Sequence, residues 1–316
     1  MTTSNTTAVK INVIRSTSRK VPTLSVLIPF YKDDPSVLLA QLITQAEALR
    51  GVEIIIYDDG TLDADICTRL GEQIKAASSP VTLLIAEENR GRATARNTLQ
   101  EKARGSWVLF LDADMRPGSG SFLADYLELI KTDEADIIFG GFTVPKKAKP
   151  SEDLHRALSE VSDCLDIETR RAAGPQYVAT SNLCVKKSVL LSEPFDGGFV
   201  GWGWEDSEWA ARVAKKYTLH HADNSALHIG LESDDTLLAR FRDSAQNYAR
   251  FTALHPELAQ TLTLYRLTQK LRKIPLHGTL RPVMKWLVKF HAMPIKLRVF
   301  ALKFWRASWY AEVDVS

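Results

Sequence analysis

The sequence contains few cysteines and no long apolar segment. Its three cysteines, Cys67, Cys164 and Cys184, are scattered and odd in number. This pattern disfavours a disulfide framework or a zinc site and fits a reducing compartment. No run of about 18 uncharged apolar residues occurs, so a membrane-spanning helix is not expected. Residues 1–8 are polar and show no apolar signal region, which leads us to expect a cytoplasmic protein.

Acidic residues are missing from one long stretch near the C-terminus. Residues 258–311 include no Asp or Glu but eleven Lys and Arg. The cations are interleaved with Trp286, Phe290, Phe300, Phe304, Trp305, Trp309 and Tyr310. A cationic, aromatic helical segment is typical of attachment to an anionic membrane surface. The alternative is that these helices pack on the core or on another subunit, and we do not expect nucleic acid as a partner.

Apolar runs alternate with helical periodicity through the first 145 residues. Strands are predicted at 24–30, 52–57, 81–86, 107–111 and 136–142, and helices at 35–50, 63–77, 91–103 and 119–131. The alternation predicts an α/β fold with a mainly parallel sheet flanked by helices. Further on we predict helices at 154–171 and 205–216, a strand-like segment at 177–185, and an all-helical region from about residue 236, broken at prolines.

Two pairs of carboxylates follow predicted strands. Asp112 and Asp114 come directly after the apolar residues 107–111, and Asp58 and Asp59 end the second strand. Ligands of open α/β sheets collect at the carboxyl ends of the strands, where both pairs should lie. Carboxylate oxygens suit Mg²⁺ or Mn²⁺, and such ions often hold substrate phosphates. One pair can therefore hold a cation and phosphates, and the other can accept hydrogen bonds from a base and a ribose. A turn-capping role is the alternative.

Arginines cluster at the start of the helix that follows the third strand. Gly91 allows a ligand to approach closely, and the free backbone N–H groups of a helix start suit an anion. Arg90 and Arg96 are therefore candidates for neutralising a diphosphate or holding a base. The alternative is that one of them pairs structurally with Asp58 or Asp112.

The chain resembles the family 2 glycosyltransferases of the GT-A fold. The resemblance rests on an ordered series of motifs: Ser25-Val-Leu-Ile-Pro-Phe-Tyr31, Tyr57-Asp-Asp-Gly-Thr61, Glu88-Asn-Arg-Gly-Arg92 with Ala95-Arg-Asn97, Phe110-Leu-Asp-Ala-Asp-Met115, Thr180-Ser-Asn-Leu-Cys184 and Gly201-Trp-Gly-Trp-Glu-Asp-Ser-Glu208. The similarity to the family spans roughly residues 24–230. Two positions depart from the usual pattern, Lys32 in the first loop and Leu62 after the Asp-Asp-Gly turn.

The resemblance implies a division of the chain and a role for each part. A flexible lead (1–20) would precede a GT-A domain (21–235), which would comprise a nucleotide-binding half (21–145) and an acceptor half (146–235). A basic helical extension (236–316) would complete the chain. In the nucleotide-binding half, Pro29 and Tyr31 would line the base, and Asp59 would bind uracil or ribose with Asp58 beside it. Asn182 matches a polar position of the donor-sugar pocket.

The resemblance also implies where metal and acceptor bind. Mn²⁺ or Mg²⁺ would be held by Asp114, with Asp112 directly or through water, and His228 is a candidate third ligand. The segment 202–206 resembles the Trp-Gly-x-Glu-Asp motif of galactosyl- and N-acetylhexosaminyltransferases. By that resemblance Asp206 would be the general base that deprotonates the acceptor hydroxyl, and Glu205 would orient sugar hydroxyls. Trp202 and Trp204 would form a stacking platform for the acceptor. The alternative is a helix cap, since acidic residues are favoured in a first turn.

We therefore expect an inverting glycosyltransferase that moves a hexose or N-acetylhexosamine from a UDP-sugar to a saccharide or lipid-linked acceptor. The expected location is the inner face of the cytoplasmic membrane. A retaining transferase is one alternative, and the Asp at position 206 favours inversion because retaining members often have an amide there. A sugar-nucleotide pyrophosphorylase would need a Gly-rich basic signature near the first strand, which residues 30–36 lack. A catalytically idle, nucleotide-sugar-binding subunit of a synthase complex is the alternative from another class.

Overall fold

The computed structural model describes residues 11–15 and 20–313. Its central layer is an eight-stranded sheet. In spatial order the strands are β1 (Ile11–Arg15), β4 (Val81–Ala86), β3 (Val52–Asp58), β2 (Leu24–Phe30), β5 (Trp107–Leu111), β9 (Asn182–Lys186), β7 (Ile137–Phe139) and β10 (Leu219–His221). Strands β4, β3, β2 and β5 run parallel, whereas β1 and β9 pair antiparallel with their neighbours. The predicted α/β fold with a mainly parallel sheet is confirmed.

A small second sheet stands at the end of β5. It comprises β6 (Met115–Pro117), β11 (Ala226–His228) and β8 (Phe142–Thr143). His228 pairs with Met115 in the antiparallel register of β11 and β6. Because Met115 directly follows Asp114, this pairing brings a segment more than a hundred residues away to the Asp112–Asp114 turn.

Helices cover both faces of the large sheet, and the chain after the last strand is helical. The helices within the described residues are α1 (Ser36–Glu47), α2 (Ala64–Ala76), α3 (Arg92–Lys102), α4 (Phe122–Lys131), α5 (Asp153–Ser162), α6 (Ile167–Ala173), α7 (Lys187–Ser192), α8 (Glu205–Val213), α9 (Asp234–Asp243), α10 (Ala245–Leu254), α11 (Pro256–Thr261), α12 (Thr263–Arg272), α13 (Arg281–Lys289) and α14 (Ile295–Tyr310). Short 3₁₀ turns lie at Pro175–Tyr177 and His277–Leu280. None of these helices is long and apolar enough to cross a membrane.

The strands are buried on both faces, as expected for parallel strands between helical layers. Alternate residues of one strand face different cores: Val26 and Ile28 pack with helices α1, α2 and α4, whereas Leu27 packs with α3 and α8. A separate apolar cluster joins α5 and α9 to α13 and α14, with Phe241 and Leu302 at its centre. The C-terminal helices are thereby fastened to the part of the chain that carries the strands.

Four local predictions differ from the structure. The strand-like segment predicted at 177–185 is a strand only from Asn182, and a 3₁₀ turn ends at Tyr177. The single helix predicted at 154–171 is wrong, because the chain leaves the helix after Ser162 and restarts at Ile167. Asp166 caps the new helix by accepting a hydrogen bond from the backbone N–H of Thr169. The strand predicted at 136–142 is divided between two sheets at Gly140 and Gly141. Strand β1 lies inside the lead predicted at 1–20, whose residues 1–10 and 16–19 lie outside the described part of the chain.

Candidate active site

A cleft of about 550 Å³ opens at the carboxyl ends of β2, β3 and β5 and at the start of α3. The position is the one that open α/β sheets use for ligands, since there the helix starts and loops meet at the strand ends. The cleft is lined by residues 29–31, 33, 59, 89–96, 112–114, 197, 199–202 and 240.

The floor of the cleft is the turn after β5, which carries Asp112 and Asp114. Asp114 Oδ2 lies 3.2 Å from His228 Nε2. Burial acts to raise the pKa of Asp114, but the hydrogen bond and charge of His228 outweigh it and the pKa is lowered. Correspondingly, Asp114 raises the pKa of His228 against the effect of burial. The structure thus brings the three predicted metal ligands to one corner, with Asp112 facing a different partner.

The donor atoms of this corner fit a hard divalent cation, since two carboxylates and an imidazole are present. They do not form a finished cage. Among residues 11–15 and 20–313, no group of three or more His, Cys, Asp or Glu side chains is arranged to hold a metal. A cation bound at Asp114 would therefore need further ligands from a substrate.

Arg96 connects the floor of the cleft to the acidic start of α8. The guanidinium is 1% exposed and lies 3.2 Å from Asp112, 3.5 Å from Glu205 and 3.6 Å from Asp206. Burial acts to lower the pKa of Arg96, but the three carboxylates outweigh it and raise the pKa above its ordinary value. Of the two alternatives for Arg90 and Arg96, the structure gives Arg96 a structural pairing with Asp112. Arg90 lines the cleft and pairs with Glu88 at 3.0 Å.

Glu205 and Asp206 open helix α8 behind this arginine. The helix begins after a sharp turn in which Trp204 adopts a left-handed backbone conformation, φ 77°. Asp206 Oδ2 accepts hydrogen bonds from Thr180, from the backbone N–H at 3.1 Å and from the hydroxyl at 3.0 Å. The Asp206 side chain is 21% exposed, whereas Glu205 is buried and burial raises its pKa. Neither carboxylate is part of the cleft lining, so Arg96 separates them from the floor.

The two tryptophans predicted to form one platform face different surroundings. Trp202 lines the cleft, where it packs on Phe241 and lies beneath the guanidinium of Arg240. Trp204 is turned away into the C-terminal helices. Its ring packs on Phe251 with a centroid distance of 4.8 Å, and its indole N–H donates to Tyr310 Oη. Only Trp202 is therefore placed to contact a ligand in the cleft.

The pair Asp58–Asp59 is also divided. Asp58 is fully buried and caps the following turn, since its carboxylate accepts from the backbone N–H groups of Thr61 and Leu62. Asp59 lines the cleft and accepts from the backbone N–H groups of Arg90 and Gly91. Burial raises the pKa of Asp59 to about 6, although these N–H groups act to lower it. The turn-capping alternative thus describes Asp58, and Asp59 remains the acidic group on the cleft wall.

The other predicted donor residues are placed as follows. Pro29 and Tyr31 line the cleft, and the Tyr31 ring is 40% exposed with Lys32 Nζ 4.8 Å from its centroid. Asn182 lies outside the cleft and is fully buried. Its amide donates to the carbonyls of Gly141 and Asn224 and accepts from Tyr126 Oη, so all its strong hydrogen-bonding capacity serves the fold.

Four residues of the site were missed by sequence reasoning. Asp33, Arg92 and Arg240 line the cleft, and Thr180 holds Asp206. Arg92 belongs to the motif Glu88-Asn-Arg-Gly-Arg92, so the sequence contained a signal that it lies at the site. Arg240 had none, because it reaches the cleft from helix α9 through tertiary packing. Burial, assisted by Asp114 and Glu232, raises the pKa of Asp33.

An α/β sheet with an acidic, arginine-lined cleft at its strand ends is typical of enzymes that bind phosphorylated ligands. The family model described as Glycosyl transferase family 2 matches residues 25–182, half of the chain. The chain therefore belongs to glycosyltransferase family 2.

Two named proteins are similar to part of the chain. Glycosyltransferase AglE of Haloferax volcanii is 25% identical over 199 residues, which cover 61% of this chain and 62% of AglE. The poly(ribitol-phosphate) β-glucosyltransferase of Bacillus spizizenii is 25% identical over 176 residues, 53% of this chain and 26% of that protein. The matches thus span less than two thirds of the length of these relatives.

A solved structure shares the fold over nearly the whole chain. The mannosyltransferase PcManGT from Pyrobaculum calidifontis, in complex with GDP-Man and Mn²⁺, superposes with a TM-score of 0.55 at 17% identity. The superposition covers 92% of this chain and 86% of PcManGT. At this identity the likeness concerns the fold, which is that of GT-A glycosyltransferases.

Proposed function

We propose that the protein is a metal-dependent, inverting glycosyltransferase that moves a hexose or N-acetylhexosamine from a UDP-sugar to a saccharide or lipid-linked acceptor. The observation that carries the proposal is the buried arginine bridge from Asp112 to Asp206. It ties a metal-type carboxylate on the cleft floor to a carboxylate at the start of α8. We divide the chain into a nucleotide-binding half (21–145), an acceptor half (146–235) and an extension (236–316). Asp112 of the first half and Asp206 of the second half form the two ends of this bridge.

On the donor side, Asp59 and Tyr31 would hold the nucleoside, and Arg90 and Arg92 would face its diphosphate. Mn²⁺ or Mg²⁺ would be held by Asp114 and His228, with Asp112 directly or through water. When bound, such a cation stabilises the charge of the departing nucleoside diphosphate. The complex of PcManGT with GDP-Man and Mn²⁺ supports this role, since that protein has the same fold.

On the acceptor side, Asp206 would take the proton of the attacking hydroxyl as its oxygen forms the bond to C1 of the sugar. The bond from C1 to the diphosphate breaks on the opposite face, so one displacement inverts the anomeric centre. Thr180 and Arg96 fix the carboxylate for this task. The resemblance of segment 202–206 to the Trp-Gly-x-Glu-Asp motif supports the assignment, and Trp202 would stack on the acceptor. A retaining enzyme or an idle binding subunit would not need Asp206 in this place.

The donor assignment is tested by thermal shift with a panel of nucleotide sugars, with and without Mn²⁺. At about one hundred times its Kd, a ligand stabilises the folded protein by about 2.7 kcal/mol. We expect UDP-sugars to give this stabilisation only with Mn²⁺. The Asp114→Asn variant should lose most of this Mn²⁺-dependent stabilisation. Asp243→Asn, an exposed carboxylate outside the cleft, is the matched control and should behave as the wild type. No stabilisation by any nucleotide would contradict the proposed function.

Binding of the nucleoside alone is expected to depend on the ionisation of Asp59. Its carboxylate accepts a hydrogen bond from a base N–H more strongly when ionised, because protonation removes the negative charge and turns one oxygen into a donor, and its pKa is raised to about 6. Affinity for uridine without metal should therefore fall as pH drops through about 6, by at most about tenfold per pH unit below it. Isothermal titration with uridine, which has no phosphate to titrate, measures this. The Asp59→Asn variant should bind weakly at every pH; an unchanged affinity of the wild type at about pH 5 would exclude Asp59 from the base site.

We also propose that the enzyme works on the cytoplasmic side of a membrane, where lipid-linked acceptors are available. The cationic extension supports this location. An anionic lipid bilayer is the partner that this location implies.

A further inference from the structure

The C-terminal helices are only partly used for packing. Trp305 is buried and its indole N–H donates to the Leu238 carbonyl, and Tyr310 is fully buried against Tyr248. The cation Arg298 is buried as well, in an ion pair of 2.6 Å with Asp234. One side of these helices therefore packs on the rest of the protein, as the alternative to membrane attachment predicted. In the part of the chain that the structure describes, other side chains of α13 and α14 are exposed.

Large apolar side chains accumulate on the exposed surface of residues 274–300. Among the described residues, nineteen large hydrophobic side chains are exposed, and eight of them fall within residues 274–300. Leu276 is the most exposed of the eight at 79%, and Trp286 and Phe300 are 57% and 61% exposed. A soluble protein surface rarely gathers apolar side chains in this way unless the patch binds something.

Both helices present the same arrangement of apolar and cationic residues. On α13 and just beyond it, Val283, Trp286 and Phe290 recur at helical spacing, with the Trp286 and Phe290 rings stacked at 5.0 Å. On α14, Leu297 and Phe300 recur in the same way. With a rotation of about 100° per residue, these side chains fall on one arc of each helix. Lys296 and Lys303 fall on the neighbouring arc of α14, and Lys285 lies about 100° from Trp286 on α13.

Three lysines beside this patch have no counter-ion in the described part of the chain. Lys285, Lys296 and Lys303 are exposed, and none forms an ion pair with an acidic group among residues 20–313. Lys289, by contrast, pairs with Asp235. Since residues 258–311 contain no Asp or Glu, the charge around the patch is positive. Helices with Trp, Phe and Leu beside Lys lie in the interface of anionic bilayers, where the rings enter the headgroup region and the ammonium groups meet lipid phosphates.

We propose that this surface docks the enzyme on an anionic lipid bilayer. The membrane patch consists of Leu276, Val283, Trp286, Phe290, Leu297 and Phe300, with Lys285, Lys296 and Lys303 at its edge. The inference deepens the membrane location proposed above by naming the face that makes the contact. It does not depend on the identity of the donor or on the cleft residues.

The test is co-sedimentation of the full chain with vesicles of phosphatidylcholine alone or mixed with phosphatidylglycerol, in the absence of nucleotide. The wild type is expected to pellet with the mixed vesicles only, and to be released by salt. Each lysine neutralised should weaken binding about fivefold, which corresponds to about 1 kcal/mol. Lys285→Gln, Lys296→Gln and Lys303→Gln together should therefore weaken it about a hundredfold. Trp286→Ser with Phe290→Ser and Phe300→Ser should abolish pelleting.

Matched controls alter the same kinds of exposed side chain elsewhere. Lys75→Gln with Lys102→Gln and Lys215→Gln, and Val37→Ser with Val161→Ser and Leu191→Ser, should bind vesicles as the wild type does. Thermal shift with a UDP-sugar and Mn²⁺, measured without vesicles, reports the cleft separately. Equal pelleting of patch and control variants overturns the membrane patch, as does a dimer in sedimentation equilibrium that the serine variants dissociate. Either result leaves the proposed transfer reaction standing.

Discussion

Replacement of Asp206 by Asn is expected to lower kcat by about 10²- to 10⁴-fold, the usual contribution of a general base, while nucleotide binding stays near normal. The carboxylate is fixed by two hydrogen bonds from Thr180 and by the nearby Arg96 guanidinium. Asparagine can still accept from Thr180 through its amide oxygen, so the fold of the site should persist. What it cannot do is take a proton from an acceptor hydroxyl.

Asp33→Asn is the matched comparison for this prediction. Asp33 lines the cleft directly, whereas Asp206 lies behind Arg96, so the two carboxylates compete for the role of base on geometric grounds. Turnover is measured with the donor identified by thermal shift, and binding with UDP and Mn²⁺. If Asp33→Asn abolishes turnover and Asp206→Asn does not, the proton acceptor is Asp33. If both variants turn over normally, proton abstraction by either carboxylate is excluded.

Replacement of Arg96 by Met is expected to destabilise the protein by about 3–5 kcal/mol at neutral pH, the usual result of removing one partner from a buried ion pair. Methionine is of similar length and fills most of the space. It leaves Asp112, Glu205 and Asp206 close together without their common counter-ion. Like charges at short range in a partly dry site repel strongly. Arg96→Lys should lose less stability than Arg96→Met, because lysine keeps the positive charge. Some loss should remain, because lysine lacks the planar guanidinium that can contact several carboxylates at once.

The pH dependence identifies the cause of this loss. Burial already raises the pKa of Asp112 and Glu205, and removal of Arg96 should raise both further above their values in the unfolded chain. Such groups bind protons more tightly in the folded state than in the unfolded chain. The loss of folding free energy in Arg96→Met is therefore complete above their folded pKa and shrinks as the pH falls. Urea denaturation of Arg96→Met and of the wild type, at neutral pH and at about pH 5, measures the difference between their free energies of unfolding.

A second variant separates charge from packing. Adding Glu205→Gln to Arg96→Met should restore part of the stability, because it removes one of the three mutually repelling carboxylates, although Arg92 still lies 3.7 Å from Glu205. A deficit that is the same at both pH values and is unaffected by Glu205→Gln would show that Arg96 acts through its packing on Phe195 and not as a counter-ion.

The strands and the position of the site could be predicted from the sequence. Apolar runs at 24–30, 52–57, 81–86 and 107–111 report burial on both faces, and the carboxyl ends of parallel strands necessarily meet at one edge of a sheet. Asp59 and Asp114 therefore had to be neighbours of one cleft, whatever the details of the loops. The motif series that the sequence presents likewise led to the correct family and fold.

Tertiary structure decided which member of each motif faces the cleft. Of two adjacent aspartates, Asp58 turned to cap its own loop and Asp59 remained on the wall. Of two tryptophans in one segment, Trp202 faces the cleft and Trp204 packs against Tyr310, a residue 106 positions away in sequence. The separation of such neighbours depends on backbone direction and on distant partners, neither of which a local pattern contains.

The same limit applies to the charges. The sequence by itself determined that acids gather at the strand ends and that a cationic, acid-free segment closes the chain. It did not determine that Arg96 serves three carboxylates, that Arg240 reaches the cleft from α9, or that Arg298 is buried while Lys296 and Lys303 remain exposed. Whether a charged side chain is neutralised, buried or left to meet a ligand depends on what the rest of the fold places within a few ångströms, because ionic interactions in a protein decay over short distances.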